Sequence, residues 1–516
     1  MLQGKTLLVL LIGCFKSVFS GTQPIVKTTS GILRGVLDDE VMSFKGIPFA
    51  HPPLGPLRFE PPVPILTPST SRDATALGPS CLQQFGTIGI VNASFDILLF
   101  NTPPTPENED CLFLNVWTPA DTGGAKKAVM VWLFGGGFAF GSGSFVVYDG
   151  TSFAKNQDII VVTPNYRTNV FGFPGAEELF PEKVNLGFYD QDLALQWVQD
   201  NIAAFGGDPK KVTIMGESAG AQSVLQVIQR HPVDTPFRAG IIESGAIPTL
   251  YPPTNFSAFD TLAQAVNCSQ SPGEERLACL KNVPPEVIHA WANGPEGVEF
   301  IPTTDNITWF RNPIERISQH KTAKVPLLLG TNQDDGTLFA VGQTSLEGLI
   351  EGLSLMVTIE QVRALYPGLS DVQIIPLAIR DFLLICENRS ISTALIGIGM
   401  TDIFRYIYGA VFQDLQILPN IGAYHFSEVK EIFGTFNRST ATAAEATLSH
   451  TMQTVWANFI KNPTSSPAPN WKKWVPNNNT KALAKLAFQG NVKLSNVVDA
   501  SPAELYDVPC KLLQLI

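Results

Sequence analysis

The sequence predicts an α/β fold: a mostly parallel central sheet flanked by helices, with an antiparallel portion at the N-terminus and large insertions further on. Three observations carry this. Residues 128–134 (Ala-Val-Met-Val-Trp-Leu-Phe), 158–163, 238–243 and 324–330 are short apolar runs without alternation, as expected of strands buried on both faces. Residues 189–205 place Leu193, Leu195, Trp197, Val198 and Ile202 at helical spacing and stop before Gly206-Gly207. From Lys211 a β-branched run enters Gly216-Glu217-Ser218-Ala219-Gly220, and the chain from Ala221 reads as a helix. Strands and helices alternating in this way imply parallel pairing through right-handed crossovers.

Composition narrows the class. Of 516 residues 45% are hydrophobic and only 16% charged, enough for a large core around one domain spanning 21–516. A net charge of −11 disfavours nucleic acid and anionic membrane surfaces as partners and leaves small molecules or lipids open. Residues 1–20 carry Lys5, an apolar run over 7–15 and small residues before Gly21, the pattern of a secretory signal. That run is too short to span a bilayer, and neither a second long apolar run nor an anchor-type tail is visible. The mature protein is therefore expected to be secreted. Cys14 leaves with the signal, and the remaining Cys81, Cys111, Cys268, Cys279, Cys386 and Cys510 form an even set suited to an oxidising compartment. Asn-x-Ser/Thr acceptors for glycosylation stand at Asn92, Asn255, Asn267, Asn306, Asn388, Asn437 and Asn478.

In chain order, residues 28–36 and 41–44 read as an antiparallel hairpin, and the proline-rich 46–64 as an extended surface segment. The stretch between Cys81 and Cys111 holds Phe85, Ile88, Ile90, Val91, Phe95, Ile97, Leu98, Leu99 and Phe100, more apolar than a solvated loop requires. It reads either as a satellite cluster on the core or as a lid over an apolar cavity. Residues 112–118 form a strand, and the 128–134 strand ends in Gly135-Gly136-Gly137. Such a triplet allows positive φ and lets neighbouring N–H groups converge on an oxyanion, although a plain glycine-rich turn has the same composition. Residues 254–322 read as a mixed insertion, 346–409 as largely helical and 443–461 as an amphipathic helix. Residues 463–476 read as a surface stretch.

Ser218 is the candidate nucleophile, because a tight strand-to-helix turn lifts its hydroxyl to where a base can take the proton. The helix that follows aims its first N–H groups, Ala219 included, at charge developing beside it. In this architecture the chain order is serine, acid, histidine. With the acid on the loop after the 324–330 strand, only His425 and His450 come late enough. His450 falls on the polar side of the 443–461 helix, whereas His425 follows the loop-like 420–424, so His425 is the candidate base. The acid is Asp334 or Asp335, which spacing alone does not separate.

Phe134-Gly-Gly-Gly-Phe138, Asn185-Leu-Gly-Phe-Tyr-Asp-Gln191, Phe205-Gly-Gly-Asp-Pro209 and Gly216-Glu-Ser-Ala-Gly220 together resemble the type-B carboxylesterase/lipase family of the α/β-hydrolase fold. Glu109-Asp-Cys-Leu112, Gly46-Ile-Pro-Phe49 and Asn165-Tyr-Arg167 add to the likeness, which covers nearly all of the mature chain. It implies Ser218 as nucleophile, Asp335 as acid, His425 as base, and oxyanion donors at Gly136, Gly137 and Ala219. It also implies disulfides Cys81–Cys111 and Cys268–Cys279, which leaves Cys386 with Cys510. The chain departs from the family's usual pattern in Phe134, expected to alter the wall of the site, and in an aspartate where most members carry glutamate. The first disulfide loop has no tryptophan, which argues against a choline ester. The implied activity is hydrolysis of small-molecule or lipid carboxylic esters through an acyl-enzyme, with no metal or organic cofactor. Alternatives are a short-chain or aryl-ester carboxylesterase and a non-catalytic binding protein on the same fold. Oligomeric state is not legible.

Overall fold

The computed structural model describes residues 23–86, 97–99, 101–121, 124, 126–245, 256–353, 355, 357–476, 481–487, 499–502 and 504–513. The expected signal, the tip of the first disulfide loop, and Asn92, Asn255 and Asn478 lie outside them.

The main sheet has eleven strands among the described residues, ordered β14-β13-β12-β11-β10-β9-β7-β8-β6-β4-β3. They are β3 (Val36–Asp38), β4 (Val41–Pro48), β6 (Phe113–Pro119), β7 (Lys127–Leu133), β8 (Ile160–Pro164), β9 (Gly207–Glu217) and β10 (Ala239–Glu243). Then follow β11 (Leu327–Asn332), β12 (Ile403–Tyr408), β13 (Lys481–Leu486) and β14 (Asp499–Pro502). Pairing is parallel from β8 through β7, β9, β10, β11 and β12 to β13, and antiparallel at both flanks. β1 (Ile25–Thr28), β2 (Gly31–Arg34) and β5 (Ser71–Asp73) make a separate small sheet.

The central strands are buried on both faces: β8, β10, β11 and β12 have no exposed residue. One face packs on α1 (Leu186–Asn201) and α2 (Ala219–Arg230), with Ile214, Val224 and Ile228 in a common cluster. The other packs on α5 (Ala443–Lys461), where Met452, Val455, Trp456 and Phe459 meet Met215, Ile241 and Phe404. α5 starts with a capping box in which Thr442 and Glu445 satisfy each other's backbone N–H groups. Between β11 and β12 the chain is helical, including α3 (Asp371–Ile379), a π-helical turn at Arg380–Ile385 and α4 (Cys386–Gly397).

The structure departs from the sequence reading in identifiable places. The expected N-terminal hairpin is split: β1–β2 pair in the small sheet and β3–β4 in the main one. The 46–64 segment begins inside β4, which runs to Pro48, and is not superficial beyond it, because Phe49, Ala50 and Phe59 are buried and Arg58 makes a buried pair with Glu109. The 346–409 segment holds strand β12. Trp471 and Trp474, on the expected surface stretch, are core residues. All three disulfides form: Cys81–Cys111, Cys268–Cys279 and Cys386–Cys510. Among the expected glycan acceptors Asn267, Asn306 and Asn437 are exposed. Asn388 is 2% exposed on α4 and donates to the Gly330 carbonyl, so this fold leaves no room for a glycan there.

Candidate active site

β7, β9 and β11 end on one side of the sheet and deliver the candidate site there. β9 runs directly into Ser218, which adopts φ 55°, ψ −124° before α2 begins at Ala219. The glycines of the turn are steric requirements. A Cβ on Gly220 would lie 1.9 Å from the Leu133 carbonyl oxygen, and one on Gly216 would lie 2.5 Å from the carbonyl group of Gly220. The turn is thus pressed against the end of β7, which continues into the glycine triplet. Gly136 and Gly137 both have positive φ, 110° and 61°. The triplet's own hydrogen bonds run from the N–H groups of Ala139 and Phe140 to the Gly136 carbonyl. The N–H groups of Gly136 and Gly137 stay uncommitted among the described residues. A Cβ on Gly135 would fall 3.0 Å from Cβ of Ser218, so triplet and serine are neighbours.

Asp335 lies on the loop after β11 and is fully buried. Its Oδ1 accepts from His425 Nδ1 at 2.7 Å, and its Oδ2 accepts from Ser244 Oγ at 2.7 Å and the Asn332 N–H at 2.8 Å. Both oxygens are spoken for, which fixes the carboxylate plane and the donor tautomer at Nδ1. His425 is 4% exposed and lies under the ring of Phe339, centroids 4.7 Å apart. Its Nε2 lies 3.1 Å from Glu217 Oε1 but off line for a hydrogen bond, so that nitrogen has no bonded partner among the described residues.

Geometry resolves the adjacent aspartates: Asp335 faces the imidazole, and Asp334 instead accepts from the Ala423 N–H at 2.9 Å. His450 is exposed on α5, apart from this constellation. Phe134 does not line the site as expected. It is fully buried, stacked on Tyr166 at 4.0 Å, and its carbonyl accepts from the Tyr166 hydroxyl at 2.6 Å. The base of the first disulfide loop is fastened to the triplet turn, Gly141 N–H donating to Gln83 Oε1 and Gln84 N–H to the Ala139 carbonyl. Phe85 stacks on Phe140 at 5.5 Å, and Leu99 joins the same aromatic cluster.

Sequence reasoning missed Ser244, Asn332 and a group of buried acids. Glu217, Glu243 and Glu428 are fully buried, and burial, with mutual repulsion, pushes their carboxyls up, Glu428 to about 8. Glu243 accepts from Trp456 Nε1 and Glu428 from Asn332 Nδ2, both at 2.5 Å. The one signal available was Glu217 inside the serine turn itself.

Comparison with known proteins places the chain in a family. The model of the carboxylesterase family matches residues 22–363. The chain belongs to the carboxylesterase family. It is 32% identical to a chlorogenic acid esterase of Aspergillus niger over 87% of this chain and 84% of that protein. It is 33% identical to the para-nitrobenzyl esterase of Bacillus subtilis over 87% and 92%. A mouse cholinesterase is 32% identical over 89% and 82%. A solved structure of a PNB esterase superposes with a TM-score of 0.75 at 31% identity, covering 88% of this chain and 94% of the other. The protein is a carboxylic ester hydrolase of the α/β-hydrolase fold.

Proposed function

We propose that this carboxylesterase is a secreted serine hydrolase in which Ser218, His425 and Asp335 form the triad and apolar or lipid esters are the substrates. The reading is carried by the His425–Asp335 bond of 2.7 Å, with His425 Nε2 3.1 Å from Glu217, the residue that precedes a serine held on a strained strand-to-helix turn. In this mechanism His425 Nε2 takes the Ser218 proton as the oxygen attacks the ester carbonyl, while Asp335 steadies the imidazolium. The N–H groups of Gly136, Gly137 and Ala219 receive the tetrahedral oxyanion; losing one such donor typically costs about a hundredfold or more. His425 then returns the proton to the departing alcohol, and water repeats the cycle on the acyl-enzyme. Every step uses groups of the chain itself.

Secretion is supported by the N-terminal sequence and by disulfides closing spans of 30, 11 and 124 residues. A 39% identical secreted lipase of Botryotinia fuckeliana, matched over 59% of this chain, supports both secretion and lipid esters. The apolar surroundings of the site point the same way: Phe339 lies against the His425 imidazole, and Phe85 stacks on Phe140 just after the glycine triplet. A second reading, aryl or short-chain esters, is favoured by the names of the chlorogenic acid and para-nitrobenzyl esterases. Hydrolysis of p-nitrophenyl esters from acetyl to palmitoyl, with Ser218→Ala alongside, separates the two. A rate maximum at long chains is expected; a maximum at acetyl or butyryl would give the second reading.

A further inference from the structure

The loop that carries Asp335 also grips the loop that carries His425, and Asp334 is at the centre of the grip. The backbone polar groups of residues 421–424 can be accounted for almost in full. The Ile421 carbonyl accepts from Thr337 Oγ1 at 2.8 Å. Gly422 is held on its other side by Gln416, whose amide bonds both its N–H and its carbonyl at 3.1 Å. The Ala423 N–H donates to Asp334 Oδ2 at 2.9 Å, and its carbonyl accepts from the Asp334 N–H at 3.0 Å. The Tyr424 carbonyl accepts from Asn332 Nδ2 at 2.8 Å. Asn332, at the end of β11, and Asp334 and Thr337 of the acid loop therefore hold three of the four residues before the histidine.

The fit at Asp334 is close. Gly422 has φ +77°, and a Cβ there would lie 2.3 Å from Asp334 Oδ2, so only glycine lets the carboxyl lie against the backbone. The acid loop is itself anchored from behind. Arg380 donates to the Gln333 carbonyl at 2.9 Å and to Asp381 Oδ1 at 2.6 Å, and Asp381 Oδ2 accepts from the Tyr366 hydroxyl at 2.8 Å. A Cβ on Gly336 would come within 1.9 Å of the Pro376 carbonyl oxygen, so this loop is seated directly on α3.

We propose that Asp334 is a positioning residue for ester hydrolysis: its reciprocal bonds with Ala423 set where the His425 imidazole stands relative to Asp335 and to Ser218. The proposal rests on the triad reading above. It assigns the adjacent aspartates two tasks, one carboxyl on the imidazole and the other on the backbone two residues before it. The groups facing Asp334 suit this task. Burial raises its carboxyl above the usual range, the Ala423 N–H and the Arg380 guanidinium draw it down, and Asp335 pushes it up. A misplacement of about 1 Å in a catalytic group can cost on the order of a hundredfold in rate.

The test compares Asp334→Ala and Asp334→Asn in the full chain, with Ser218→Ala and Asp335→Asn as references. Turnover of a p-nitrophenyl ester and the low-field NMR resonance of the His425 Nδ1 proton, assigned with His425→Ala, are both read. Asp334→Ala is expected to lower kcat by about 10- to 100-fold with KM changed less than about twofold, and to shift or broaden the resonance. Asp334→Asn keeps an acceptor oxygen for the Ala423 N–H and is expected to recover most of the loss. Wild-type kcat and an unmoved resonance in Asp334→Ala would overturn the proposal. So would an Asp334→Asn enzyme as inactive as Asp335→Asn, which would make Asp334 the acid of the triad. Should Asp334→Ala not fold, Thr337→Val, which removes the hydroxyl bonded to the Ile421 and Asp334 carbonyls and leaves the Asp334 carboxyl in place, is expected to change both readouts in the same direction by less, and no change would overturn the proposal. If Ser218→Ala turned over at the wild-type rate, the triad reading would fail. The resonance, recorded without substrate, would still report whether Asp334 positions His425.

Discussion

Ser218 sits at φ 55°, ψ −124°, a conformation that costs a side-chain-bearing residue roughly 1–3 kcal/mol and persists only because the surroundings enforce it. The enforcement is visible: its N–H donates to the Glu243 carbonyl at 2.9 Å, and Gly216 and Gly220 allow β7 and the first turn of α2 to close on it. Ser218→Gly should therefore raise the unfolding free energy by about 1 kcal/mol, measured by chemical denaturation, while removing ester turnover. Asp335→Asn should lower kcat by about a thousandfold or more with KM little changed, because an amide cannot hold the Nδ1 donor tautomer as the carboxylate does. At this scale Ser218 and His425 could be named as candidates, since a turn motif and the order of residues along the chain are both read directly from sequence. Spacing alone does not separate Asp334 from Asp335, and only the family resemblance points to Asp335, because their difference is which way each carboxyl faces across a contact of about 90 residues' separation. Phe134 misled for a related reason. Its place before the triplet suggests the site wall, but the stacking partner that buries it, Tyr166, comes from just past the end of the neighbouring strand β8.

Among the elements, the sheet edge depends on pieces that never touch the chemistry. Arg167, just after β8, is 2% exposed and bonds Asp190 of α1 through its Nε, its Nη2 and its backbone N–H, at 2.8, 2.8 and 3.0 Å. Asp190→Ala would strand the guanidinium and should destabilise by about 3–5 kcal/mol, read as a drop in the denaturation midpoint. The Cys386–Cys510 bridge ties α4 to the C-terminal segment across 124 residues. In the chain-entropy account a loop of that size is worth about 4–5 kcal/mol, so Cys386→Ala/Cys510→Ala should lower Tm clearly while leaving KM unchanged. Strands β6 to β11 and the helices α1, α2 and α5 could be read from sequence because each is a long periodic or largely apolar run. β12 was absorbed into a helical reading, since Phe-Arg-Tyr-Ile-Tyr carries a charge mid-strand. That charge is satisfied only in three dimensions, by Asp507 at 2.9 Å, 102 residues away.

Across the whole molecule, the unusual feature is the acid buried behind the sheet edge. Glu217, Glu243, Glu428 and Glu431 all have carboxyls pushed up, chiefly by burial, Glu428 to about 8 and Glu431 to about 9, from an ordinary 4.5. Several of their oxygens have no hydrogen-bond partner among the described residues, which is the setting in which ordered water is found. The sign of the consequence is fixed by linkage. Between the ordinary carboxylate range and the raised one the native state holds more protons than the unfolded state, so stability falls as pH rises through that window. Each such group costs up to about 1.4 kcal/mol per pH unit there. Thermal melts from pH 5 to 9 should show Tm declining on the alkaline side, and Glu431→Gln should flatten the decline; a Tm that rises with pH over this range would contradict the assignment. The central claim, that Ser218 is the nucleophile activated by His425, is tested most directly by labelling with a fluorophosphonate and locating the adduct by mass spectrometry. The account predicts one phosphonyl group, on the peptide containing Ser218, formed far more slowly in His425→Ala and absent in Ser218→Ala. An adduct on another residue, or none in a folded protein that hydrolyses esters, would contradict it.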